Sequence, residues 1–206
     1  VVTATERRVS GTVRKRPGVG LVGDPGRAFR TVEAPMITVM RIRPEDTDRY
    51  RAVRLGTLED APSAFATTLE EAQRFPDEVW RQRVSDAAGG PDSTLFLAVD
   101  AQGVDVGMVA AIRNTVDPST AELISMWVAP SARRSGAGAE LVRRVIEWAS
   151  ESGYRRVELW VTRGNEAAER LYRGLATTET GDVKPLPSDP CKDERRMRLE
   201  LEAQTS

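Results

Sequence analysis

Arg133, Arg134, Ser135, Gly136, Ala137, Gly138 and Ala139 follow an apolar stretch ending in Val128-Ala129-Pro130. They precede a run with Leu141, Val142, Val145, Ile146 and Ala149 at helical spacing. A helix N-terminus carries unpaired backbone N–H groups and about half a positive charge, so a loop that exposes it without side-chain bulk is an anion site. Gly136 and Gly138 let the backbone close around phosphate oxygens, and Arg133 and Arg134 add positive charge. Such a loop suits a pyrophosphate.

Three phosphate-binding loops compete for this stretch. A Walker loop needs GxxxxGK followed by Ser or Thr, and no lysine follows these glycines. A dinucleotide fold wants GxGxxG, but the third glycine position is Leu141. Glu158 imitates the ribose-binding acid of that fold only superficially, because it falls mid-strand rather than at a strand end. The third pattern, RxxGxG from Arg133 to Gly138 after a strand, is the one the residues match.

The rest of the composition restricts the chemistry further. The chain has no histidine and one cysteine, Cys191. That removes the commonest metal ligand, the usual base of a Ser or Cys nucleophile and any disulfide within the chain. Acid and base work falls to Glu, Asp, Tyr, Lys or a backbone group, and no metal is expected. With 30 basic and 31 acidic residues the net charge is −1. No apolar run reaches the ~18 residues that cross a bilayer, and the N-terminus lacks a signal-peptide core, so a cytoplasmic location is expected.

The elements that must position the loop follow from periodicity. A strand is predicted near Ile37–Ile42, then a helix with Pro44 in its first turn, running to about Leu58. A second helix from Pro76 has Val79, Trp80, Val84 and Ala87 on one stripe and ends at Gly89-Gly90. Leu95–Val99 and Val106–Ile112 form a hairpin around DAQG, and Ala121–Val128 is the strand that enters the loop. After the long helix, stopped by Gly153, come a strand at Arg155–Val161, a helix at Asn165–Leu175 and a last strand at Met197–Leu201. Strand, crossover helix, strand makes the pair either side of the loop parallel within an otherwise antiparallel sheet. The class is therefore α+β, with about six to seven strands and about four helices.

Residues 1–35 read differently. Val1–Val32 holds seven basic residues against two acidic, with many Gly and Pro and no period. This is a disordered basic arm by composition. One aromatic, Phe29, and no base-directing motif argue against a nucleic-acid role, and Met36 has the look of a natural start. The expected domain is 36–202, followed by a tail at 203–206.

The RxxGxG loop, its place after the fourth strand, and NEAAERLY, with Asn165 and, seven residues on, Tyr172, together resemble the GNAT superfamily of N-acetyltransferases over about Met36–Leu201. The chain departs from the usual pattern where members commonly carry Gly-Phe and this one has Ala176-Thr177. The resemblance implies direct transfer from acetyl-CoA to an amine, without a covalent enzyme intermediate. It makes Arg133, Arg134, Ser135, Gly136, Ala137, Gly138 and Ala139 the pyrophosphate loop. It makes Met126, Trp127 and Val128 the backbone that meets the oxyanion and the pantetheine arm, and Asn165 a further contact to that arm. Glu122 matches the position of a general base. Its alternation with Ile124, Met126 and Val128 places it among apolar groups that raise a carboxyl pKa, though a solvated strand start fits its surroundings equally. Tyr172 becomes the proton donor to the thiolate, with core packing as its alternative reading, and Asn165 also suits a helix N-cap. Trp148 and Trp160 read as core, and Cys191 as incidental in a Pro-rich loop. Residues 59–71 fall where the acceptor site is covered. A homodimer is suggested by analogy alone. A catalytically silent acyl-CoA-binding sensor keeps the loop but needs neither Glu122 nor Tyr172. The acceptor itself is left open.

Overall fold

Alternation along the second predicted strand decides the architecture. β2 (Ser93–Val99) is buried along almost its whole length, so both faces of the sheet must be covered. In the computed structural model, which describes residues 37–65, 67–186 and 189–202, Phe96 and Ala98 join one core and Leu95 and Leu97 another. The first core lies under the long helix α4 (Ala137–Glu151). The second lies under α1 (Thr47–Asp60) and α3 (Asp77–Gly89). The predicted basic arm at 1–35 and the tail at 203–206 lie outside the described residues.

Among the described residues the sheet has seven strands. Its spatial order is β1 (Thr38–Arg41), β2, β3 (Asp105–Arg113), β4 (Thr120–Val128), β5 (Arg156–Thr162), β7 (Asp189–Glu200) and β6 (Thr178–Leu186). Only β4 and β5 pair in parallel, joined by α4 as predicted. Among the described residues five α-helices accompany the sheet, the additional one being the short α2 (Leu69–Gln73), and α5 (Glu166–Arg173) follows β5. β6 is a strand the periodicity does not predict, and the first half of β7 takes the place of the Pro-rich loop expected around Cys191, which is an exposed residue of β7.

The packing of α4 is close because β3 allows it. A Cβ on Gly107 would lie 3.0 Å from Leu141 Cδ1 and 3.1 Å from the Trp127 carbonyl. With that space empty, Leu141, Val142, Val145 and Ala149 are fully buried against the sheet. Each of the larger ones contributes about 1.5–3 kcal/mol relative to exposure.

The feature that makes a site is the parting of β4 from β5. Their parallel register runs from Thr120↔Arg156 to Leu123↔Leu159 and stops. Beyond it β5 is paired by β7 alone, and β4 by β3 alone. At the same point β4 carries one extra residue relative to β3, since Ile124 faces Ala110 but Trp127 faces Met108. Ser125 absorbs the irregularity with φ +54°. A bulge of this kind bends its strand and increases its twist, so β4 swings away and a cleft opens.

The bulge also changes which side chains share a face. Glu122 and Ile124 lie on the α1 side together with Trp127, whereas Met126 and Val128 pack against the core under α4. The simple alternation of Glu122 with Met126 and Val128 does not hold, because the extra residue exchanges the faces beyond it.

Candidate active site

The loop enters α4 through two left-handed residues, Arg134 at φ +66° and Gly136 at φ +93°. Ala137 donates its N–H to Ser135 Oγ at 3.3 Å, and Glu140 is the first residue to bond back into the helix, to the Gly136 carbonyl. The N–H groups of Gly136, Gly138 and Ala139 have no hydrogen-bond partner among the described residues. Three open amides at the head of a fifteen-residue helix make a cradle of the kind that suits an anion.

The two glycines have different jobs. Gly136 supplies the left-handed turn. Gly138 supplies space, since a Cβ there would lie 3.2 Å from Leu171 Cδ2 and 3.3 Å from Met126 Cε. It lets the helix tip sit against both β4 and α5, which places the cradle at the mouth of the cleft.

The arginines also divide. Arg134 is exposed and makes no ion pair among the described residues. Arg133 turns back, with Nε donating to the Val128 carbonyl at 3.3 Å and Nη2 to Asp60 Oδ2 at 2.8 Å. The Trp127 indole donates to the same carboxylate at 2.9 Å. Asp60 thus ties the end of α1 to β4 and to the loop, a role invisible in the sequence beyond one hint. An acid in the last turn of a helix opposes the macrodipole and needs a cationic partner elsewhere.

Between the strands lies a cavity of about 830 Å³, lined by Met126, Val128, Gly136, Gly138, Asn165 and Tyr172 among others. Trp127 pairs with Met108, and the Ala129 N–H donates to the Val106 carbonyl, so strand alternation directs the N–H of Val128 to the open edge. Tyr172 is 5% exposed, lines this cavity and has no hydrogen-bond partner for its hydroxyl among the described residues. Burial pushes its phenol well above the ordinary value of about 10. Asn165 caps α5, accepting the Ala168 N–H at 3.2 Å, and also lines the cavity.

Glu122 lies in a second, smaller cavity of about 310 Å³ on the α1 side. The two cavities share Phe65, Leu123, Ile124, Ser125, Trp160 and Glu194, so the bulge is their common wall. Glu122 is half-buried, accepts a long 3.4 Å hydrogen bond from Asn114 Nδ2 and enters no ion pair among the described residues. Its strand neighbour Glu158 is buried and matched by Arg198 at 2.6 Å and Arg196 at 3.4 Å. Trp160, expected in the core, instead lines both cavities, with Lys184 Nζ 4.1 Å and Arg196 Cζ 4.7 Å from its ring. Among the described residues no group of carboxylates and Cys could hold a metal.

Residues 57–176, more than half of the chain, match the family model of the GNAT acetyltransferases. The chain belongs to that family. Among curated relatives, an uncharacterised N-acetyltransferase of Methanocaldococcus jannaschii is 35% identical over 97 residues, covering 45% of this chain and 43% of the relative. An N-acetylaspartate synthetase of Danio rerio is 36% identical over 94 residues, covering 46% of this chain and 33% of its own length. The chain therefore spans less than half the length of these relatives. A GCN5-related N-acetyltransferase structure from Kribbella flavida superposes with a TM-score of 0.62 at 25% identity, over 80% of this chain and 98% of that one. The family uses acetyl-CoA as cosubstrate, and the cradle fits its diphosphate on the geometry alone: three open amides, a left-handed glycine and an unpaired arginine at a roomy cleft.

Proposed function

We propose that this domain transfers an acetyl group from acetyl-CoA to a primary amine, directly and without a covalent enzyme intermediate. The observation that carries the reading is the cleft between β4 and β5, with open helix amides at its mouth and a carboxylate and a phenol on opposite sides of the bulge. Acetyl-CoA supplies the activated thioester; everything else is the work of the chain.

Gly136, Gly138, Ala139 and Arg134 hold the diphosphate. The Val128 N–H faces the cleft, where it meets the negative charge that develops on the thioester oxygen. An alkyl ammonium is unreactive, and Glu122, free of any ion pair among the described residues, takes its proton directly or through one water. Tyr172 donates a hydrogen bond toward the departing sulfur. Because burial raises its pKa, the phenol keeps its own proton, and it steadies the thiolate rather than protonating it outright. The two curated relatives are named as N-acetyltransferase and N-acetylaspartate synthetase, which is in keeping with an amine acceptor.

A thiol-release assay over a panel of amines tests the reading on wild type, Glu122→Gln and Tyr172→Phe. The expected result is turnover with at least one amine, falling about 10²–10⁴-fold in Glu122→Gln with CoA binding intact in calorimetry. Saturable CoA binding with no turnover on any amine would instead describe the silent sensor.

A further inference from the structure

Helix α1 buries Tyr50, Val53, Arg54, Thr57 and Leu58, an i, i+3, i+4 stripe in which the third member is a guanidinium. Arg54 is 7% exposed. Among the described residues it has no salt bridge and no hydrogen bond, its Nη1 is buried without a partner, and the only group stacked on it is the Phe65 ring at 4.4 Å. Burial lowers its pKa, nearby Tyr50 opposes that shift, and Arg83 adds to it. Desolvating a charge costs several kcal/mol unless a counter-charge or a full set of hydrogen bonds compensates, and among the described residues Arg54 has neither.

Arg54 lines the smaller cavity, the one that also holds Glu122. The other two charged side chains of that cavity, Lys184 and Glu194, pair with each other at 3.6 Å. What is left uncompensated is one buried cation and one half-buried anion in a single cavity of about 310 Å³, with Phe65, Ile124, Ser125 and Trp160 around them. That is the complement of a zwitterion.

Resting on the acetyltransferase reading, we propose that the acceptor is an amino carboxylate, its ammonium delivered to Glu122 and its carboxylate held by the Arg54 guanidinium. A planar fork of donors matches a carboxylate in a bidentate manner, and the carboxylate supplies the missing counter-charge. Proton balance is simple. The ammonium gives one proton to Glu122, the amine nitrogen forms the bond to the acetyl carbon as the carbon–sulfur bond breaks, and the second nitrogen proton leaves with the thiolate as free thiol. The carboxylate remains ionised throughout and takes no part in the chemistry.

The test sets the proteinogenic amino acids against their α-carboxamides in the thiol-release assay, on wild type, Arg54→Met and Arg54→Lys. The expected result is a preference of about 100-fold or more in kcat/KM for one or more acids over the matching amides, since a site built to bond a charged group rejects analogues lacking it. Arg54→Met raises KM for the acid and erases the preference for acid over amide. Arg54→Lys restores part of it. Arg54→Met also melts no lower than wild type in the absence of ligand, because it removes an unmatched buried charge and keeps the apolar stem.

Amides turning over as well as acids, or Arg54→Met lowering both alike, would overturn the inference while leaving the acetyltransferase reading intact. If no amine releases thiol, that reading fails separately. Thermal shift with the N-acetyl amino acids then decides the inference: stabilisation of wild type that Arg54→Met loses supports it, and no shift with any of them refutes it.

Discussion

Replacing Ala176 by glycine stabilises the domain. The turn that ends α5 has the form of a Schellman motif, with the Thr177 N–H donating to the Tyr172 carbonyl at 3.4 Å and the Ala176 N–H to the Arg173 carbonyl at 3.2 Å. In that motif the residue before the last donor adopts the left-handed conformation, and Ala176 stands at φ +63°. An L-residue there costs about 1–2 kcal/mol, and glycine loses about 0.5–1 kcal/mol in additional chain entropy on folding. Ala176 is exposed, so removing its methyl sacrifices little packing. The net gain is about 0.5–1 kcal/mol, or about 1–4 °C in Tm for a domain of this size. Thermal melts of Ala176→Gly and Ala176→Val beside wild type read this directly, with the β-branched variant expected below wild type. A glycine variant that melts at or below the wild-type temperature would refute the account, because the strain assigned to the left-handed alanine would then not exist.

Tyr172 links stability to alkaline pH. Its folded pKa is raised by burial, so its contribution is fully present below about pH 10, the unfolded value, and is lost as pH rises further. The slope is about 1.4 kcal/mol per pH unit for one proton, and Tyr172→Phe removes that share in denaturation followed from pH 9 upward. Glu158→Ala destabilises by about 2 kcal/mol, less than the about 3–5 kcal/mol of a fully buried pair, because Arg198 and Arg196 remain about a third exposed; urea unfolding measures it. Asp60→Ala releases Arg133 and the Trp127 indole and weakens CoA binding by about 3–30-fold in calorimetry, one to two charge-assisted hydrogen bonds discounted for the exposure of Arg133.

The order of elements was legible because the strands around the site are apolar and the long helix is strongly amphipathic. The RxxGxG loop and its parallel flanking strands came from the same signals. β6 is not legible because it is an edge strand with mostly exposed, polar residues and Pro185 near its end, so it has no buried face to impose alternation. α2 is too short to show a period, and its one local signal is the capping box of Thr68 and Glu71 that the sequence spells as TLEE. The site was half legible. The places of Gly136 and Tyr172 follow from spacing, but the close approach of Leu171 and Met126 that also requires a glycine at 138 does not. Asp60 acts across 67 and 73 residues of chain, a distance at which no local pattern speaks. Arg54 did leave a trace, a charged residue at a buried stripe position of α1, and such an interruption is worth reading as a site signal.

Ser125 carries a last consequence. Excise it, and Met126 falls opposite Val109 while Trp127 and Val128 keep both their present faces and their present partners on β3. The shortened chain would thus satisfy both cores with an uninterrupted ladder and without the left-handed serine. It would be a sounder sheet with its two central strands zipped shut, and so a better protein by every measure except having somewhere to work.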